Sequence, residues 1–103
     1  MPGVELHLRF RTKDPSGESL RAFLREAVPI YQSPGGIRVR LLRDRSDGAA
    51  FIEVIEYDTT ADFDRDQLRV EHDPVMIELL GRWRSLLDGP PVVEVYAADD
   101  PHG

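Results

Sequence analysis

Two kinds of hydrophobic periodicity alternate along this chain, and their order restricts the fold more than any other feature. From Val4 to Phe10 the repeat is two residues, with Val4, Leu6, Leu8 and Phe10 on one side and Glu5, His7 and Arg9 on the other. That is a half-buried strand. From Leu20 the period lengthens, because Leu20, Phe23, Leu24, Ala27 and Val28 fall at i, i+3, i+4, i+7 and i+8. An amphipathic helix follows. Asp14 and Pro15 have the chemistry of its N-cap and first helical residue, and Pro29 is expected to end or kink it. Ser33-Pro34-Gly35-Gly36 then reverses the chain.

Alternation returns in Ile37, Val39 and Leu41 against Arg38 and Arg40, and residues 43–48 supply a polar hairpin connection. Phe51 to Tyr57 is a third strand with apolar residues on both faces, Ile52 and Val54 on one and Phe51, Ile55 and Tyr57 on the other. Such a strand belongs in the middle of a sheet. Thr59 and Asp62 resemble a capping box opening a helical region that runs to about Leu87, with a joint at Asp73-Pro74. Beyond the joint Met76, Leu79, Leu80, Trp83 and Leu87 form one stripe, Gly89-Pro90-Pro91 stops the helix, and Val92 to Tyr96 is a closing strand.

The order strand, helix, strand, strand, helix, strand is that of an α+β, ferredoxin-like βαββαβ sandwich, a four-stranded antiparallel sheet with helices on one face. A chain of 103 residues has material for one core, so residues 1–98 are read as a single domain and 99–103 as a polar C-terminal tail. The uncovered face is expected to carry Glu5, His7, Arg9, Arg38, Arg40, Glu53, Glu94 and Tyr96, together with apolar Phe51, Ile55, Tyr57, Leu42 and Val92. Water is a poor neighbour for the apolar set. A second copy stacking its own sheet there would cover it, and a two-fold axis would let arginines of one protomer meet glutamates of the other.

The net charge of -6 opposes phosphate binding, so nucleic acid is not an expected partner. No apolar run is long enough to cross a membrane, and Met1 to Lys13 has no continuous apolar segment of the kind that directs export. A cytoplasmic location is expected. With no cysteine, the chain has neither disulfides nor thiolate chemistry.

The strand Phe51-Ile-Glu-Val-Ile-Glu-Tyr57, the joint Glu71-His72-Asp73-Pro74 and the Leu79 to Leu87 segment with Trp83 resemble segments of the dimeric α/β-barrel superfamily, in its antibiotic-biosynthesis-monooxygenase-like branch. The resemblance spans Val4 to Tyr96 and identifies an architecture more than a chemistry. It implies a homodimer through the open sheet face and a small-molecule cavity between the sheet and the second helical region. Some such proteins oxidise phenolic or quinone-forming compounds without a cofactor, and others bind and degrade haem. Both branches use an active-site asparagine with a tryptophan, and this chain has no asparagine, so those roles are not carried over. No cofactor is expected.

Among individual residues, His72 is the candidate catalytic group, because neighbouring carboxylates Glu71 and Asp73 could orient an imidazole that titrates near neutrality; the plain alternative is a half-exposed histidine beside a cap. Trp83, Tyr31 and Tyr57 are candidate contacts for a small aromatic ligand, against a purely structural role at the core. Gly81, two residues before Trp83, is read as a close-packing position. Asp62, Asp64 and Asp66 have the opening spacing of a calcium loop, but Gln67 stands where such a loop turns on glycine, and no metal site is expected. Two readings result: a dimeric small-molecule-binding protein, oxygenase-like in chemistry, or a non-catalytic dimerisation or accessory module. A cavity lined by aromatic residues and a few convergent polar groups would separate them.

Overall fold

The strands and helices follow the two periodicities. In the computed structural model, which describes residues 3–99, the order is β1 (Val4–Arg11), α1 (Glu18–Tyr31), β2 (Ile37–Arg43), β3 (Ala50–Tyr57), α2 (Thr60–His72), α3 (Pro74–Ser85) and β4 (Val92–Ala97). Apart from Asp99, the expected tail with His102 lies outside the described residues. The strands form one antiparallel sheet in the order β2-β3-β1-β4, and β3 is indeed internal. This is the ferredoxin-like arrangement.

Register decides which residues share a face, and it corrects one expectation. Phe10 stands opposite Phe51, Leu8 opposite Glu53, Leu6 opposite Ile55 and Val4 opposite Tyr57. Facing residues of a ladder point to the same side, so Phe51, Ile55 and Tyr57 lie beneath the helices rather than on the open face. Glu53 goes with them. The open face keeps Glu5, His7, Arg9, Arg38, Arg40, Leu42, Ile52, Val54, Glu56, Val92, Glu94 and Tyr96. Its charges are already matched within one chain: Arg9 with Glu94 at 2.5 Å, Arg38 with Asp58 at 2.6 Å, and Arg40 with Glu56 at 2.9 Å.

The core forms where Leu8, Phe10 and Phe51 meet Leu20, Phe23, Leu24 and Ala27 of α1 and Met76, Leu79 and Trp83 of α3. Helix α1 starts at Glu18 and not at Pro15. The carboxylate of Asp14 instead accepts from the Ser16 and Ser19 amides at 3.0 and 3.2 Å, and from both hydroxyls, which holds its pKa down near 2. Gly17, at φ 74°, turns that loop into the helix, and a β-carbon there would lie 2.6 Å from the Phe51 ring. Pro29 falls in the last turn of α1, which continues through it to Tyr31, so the helix goes without the one bond that an amide there would give to the Arg25 carbonyl.

The capping box and the joint form as their residues suggest. Thr59 Oγ1 accepts from the Asp62 amide at 3.1 Å, and Asp73 accepts from the Val75 amide at 2.9 Å across the α2–α3 joint. After α3 the chain is stitched back to the end of β1 by the Lys13 amide to Leu86 O at 3.0 Å and the Asp88 amide to Arg11 O at 2.8 Å. Strand β4, at the sheet edge, is less covered: Val92, Val93, Val95 and Tyr96 are all exposed. Among the described residues no helix is long and apolar enough to cross a membrane.

Candidate functional site

A cavity of about 260 Å³ lies between the sheet and the second helical region. Its floor is Leu6 and Leu8 of β1 with Glu53, Ile55 and Tyr57 of β3; its walls are Tyr31 at the end of α1, Asp66 and Val70 of α2, and Met76 and Trp83 of α3. Leu80, Arg84, Pro91 and Val93 complete the lining toward β4. The exposed side chains of Arg84 and Val93 put that end in contact with solvent. Three aromatic rings and two carboxylates thus converge on an otherwise apolar space.

The two carboxylates have opposite situations. Asp66 is buried but satisfied: Tyr57 donates its hydroxyl to Asp66 Oδ2 at 2.5 Å and Arg69 donates to Oδ1 at 3.3 Å. Arg69 reaches further, donating to the carbonyls of Ile30 and Tyr31 and so tying the end of α1 to α2. Burial and the hydrogen bond to Asp66 drive the Tyr57 hydroxyl well above the ordinary phenol range, so it remains a donor. Burial, with the Glu53 carboxylate nearby, raises Tyr31 in the same direction.

Glu53 has no such support. Only 3% of it is exposed, its Oε1 is buried with no hydrogen-bond partner among the described residues, and desolvation raises its pKa to about 7. Trp83 presents the complementary anomaly. Its indole packs edge-on against Phe10 with centroids 5.4 Å apart, while Nε1, also buried, has no acceptor among the described residues. Two of the residues lining the cavity therefore carry an unpaired buried acceptor and an unpaired buried donor, and buried polar atoms of this kind are uncommon enough to need a reason.

Of the sequence candidates, Tyr31, Tyr57 and Trp83 meet at this cavity. His72 does not reach it: its side chain is 74% exposed at the α2–α3 joint, 3.6 Å from Glu71. His7 lies on the open sheet face, 2.7 Å from Glu5 and against the Tyr96 ring. The three aspartates of α2 are divided among separate tasks, Asp62 with Thr59 and Arg65, Asp66 with Tyr57 and Arg69, and Asp64 in solvent. Sequence reasoning missed Glu53 and Asp66. The signal for Glu53 was parity, since it shares the alternation of Phe51, Ile55 and Tyr57; Asp66 had only its spacing to Arg69.

A second depression, of about 450 Å³, lies at the other end of the sheet beside Arg9, Arg11 and Arg43. Those arginines are committed. Arg9 pairs with Glu94, Arg11 with Asp47, and Arg43 donates to the carbonyls of Gly48 and Ser16.

No family profile and no curated protein matches the sequence. Solved structures do match the fold. SnoaB, a cofactor-independent oxygenase from Streptomyces nogalater, aligns with a TM-score of 0.77 at 15% identity, covering 97% of this chain and 96% of its own. Rv0793 from Mycobacterium tuberculosis aligns with a TM-score of 0.73 at 20% identity, over 98% of this chain and 99% of its own. A Deinococcus radiodurans protein assigned by inference to the antibiotic biosynthesis monooxygenases gives 0.72 at 14% identity, over 94% and 93%. The chain has the ferredoxin-like fold of antibiotic-biosynthesis-monooxygenase-like proteins, as its strand and helix segments suggested.

Proposed function

We propose that this protein binds a small phenolic or quinone-type compound in the cavity beneath α2 and α3, and acts on it as a cofactor-independent, monooxygenase-like enzyme. The observation that carries the reading is the convergence of Tyr31, Tyr57 and Trp83 around a buried, unpartnered Glu53. The rings offer flat apolar surfaces to an aromatic ligand, and the cavity has room for one or two fused rings. In the reaction, a phenol's O–H and a ring C–H break, dioxygen gives one atom to the ring and the other leaves as water, and a quinone results. Glu53, with its pKa near 7, takes the acid–base role that the sequence suggested for His72. The fold shared with SnoaB supports the reading.

The same proposal includes a two-fold dimer through the open sheet face, where Leu42 and Val92 are 42% and 58% exposed. Because the arginines there are paired within the chain, apolar burial rather than cross-protomer ion pairing drives the association.

Trp83 is the one tryptophan, so its fluorescence reports on the cavity alone. Titration with 1-naphthol is expected to quench it saturably, and an oxygen electrode to record uptake with a bound substrate. Neither quenching nor uptake across a panel of phenols at millimolar concentration would discard the reading.

A further inference from the structure

The unpaired atoms of two residues that line the cavity ask for different things. Glu53 Oε1 needs a donor, and Trp83 Nε1 needs an acceptor. A quinone carries only acceptors, whereas a ring with a free hydroxyl carries both. We propose that Glu53 makes this cavity specific for the reduced, hydroxyl-bearing form of its ligand, a ring hydroxyl donating to Glu53 while an oxygen of the same molecule accepts from the Trp83 indole.

This deepens the proposed function and rests on it. Glu53 is the unpartnered side chain of the lining that, when ionised, only accepts, whereas Gln67 of α2 and Tyr31 of α1 can donate as well as accept. Asp66 already accepts from Tyr57 and Arg69, and the Tyr57 hydroxyl is spent on Asp66. The other titratable or charged groups of the lining are Tyr31 from α1 and Arg84 from α3; β1, β2 and β4 contribute only apolar side chains. As a carboxylate, Glu53 offers lone pairs and no proton, so a quinone carbonyl brought against it would face a buried, desolvated negative charge. Oxidation of a bound phenol to its quinone removes the hydroxyl that Glu53 holds, and this would expel the product and leave the site open to fresh substrate.

Protonation should weaken the discrimination, because a neutral Glu53 carboxyl can donate to a carbonyl. The preference for the hydroxyl form is therefore strongest above about pH 7 and declines as the pH falls through that value. Glu53→Gln imitates the protonated state at every pH, its amide donating to a quinone oxygen.

The test is a binding series under nitrogen, read by Trp83 fluorescence, with 1-naphthol, 1-methoxynaphthalene and 1,4-naphthoquinone at pH 8 and pH 5. At pH 8 the wild-type protein should bind 1-naphthol about ten-fold or more tightly than either of the others, the effect of one hydrogen bond to a charged group. At pH 5 the gap to the quinone should narrow. Glu53→Gln should bind the quinone better than wild type at pH 8, and Glu53→Leu should no longer separate 1-naphthol from its methyl ether. Equal binding of all three compounds by wild type at pH 8 overturns the inference and leaves the cavity reading standing. Failure of all three to bind overturns both.

Discussion

Glu53 stands directly opposite Leu8 in the β1–β3 ladder, so a single register position sets a carboxylate in the apolar layer beneath the helices. With its Oε1 unpartnered and its pKa near 7, the residue is a local weakness in the fold as well as the centre of the proposed site.

That weakness has a pH signature. Glu53 is held near 7 in the folded protein against 4.5 for a free glutamate, so the folded state binds the extra proton between those values. Stability should be greatest, as far as this group is concerned, below about pH 4.5, and should decline as the pH rises through about 7. The full loss is on the order of 3 kcal/mol. Glu53→Gln should remove it. Urea denaturation at pH 8 is expected to show the variant more stable than wild type, with the difference shrinking at pH 5; a wild-type advantage at pH 8 would contradict the buried, unpaired carboxylate.

Trp83 serves the core and the cavity together. It is almost fully buried and meets Phe10 edge-on, so Trp83→Ala should cost about 3 to 5 kcal/mol and could abolish folding. Trp83→Phe retains a ring in the core and removes only the orphaned N–H along with some area. It should fold, yet bind 1-naphthol more weakly, as read by calorimetry. Unchanged affinity in a folded Trp83→Phe protein would confine the residue to packing.

Gly81 is not held by close packing, contrary to what its place beside Trp83 suggested. It is exposed in the middle of α3, and a β-carbon added there meets no atom within 4 Å. Gly81→Ala should therefore raise stability by about 0.5 to 1 kcal/mol, through helix propensity and a less flexible unfolded chain. Thermal unfolding followed by circular dichroism checks the sign.

The proposed dimer has a direct check in light scattering at micromolar concentration. Leu42→Asp with Val92→Asp places charges at positions exposed in one chain, so each protomer should still fold, while burial of those charges in a sheet-to-sheet interface should dissociate the pair. Val75→Asp with Ile77→Asp, at exposed positions of α3, should leave the dimer intact. A monomeric wild type would end the dimer proposal.

Much of the architecture was legible because it depends on local chemistry. Alternation marked β1 to β4, the helical stripe marked α1 and α3, and Thr59 and Asp73 marked helix starts through hydrogen bonds made within a few residues. The start of α1 was misread for a local reason too: Asp14 does cap, but across a loop that Gly17 turns, so the helix begins later than the Asp-Pro pair suggests. Tyr31, Tyr57 and Trp83 could be named as aromatic candidates from the sequence. Whether they shared a space could not.

What the sequence determined by itself was the order and kind of the elements, since periodicity and capping are properties of neighbouring residues. Only the tertiary structure decided which side of β3 the helices would cover. Alternation divides a strand's residues into two sets without saying which set is buried, and β3 is apolar on both. Packing of α1 and α3 against Leu8, Phe10 and Phe51 resolved that choice, drew Glu53 inward with its own set, and left His72 in solvent at the joint.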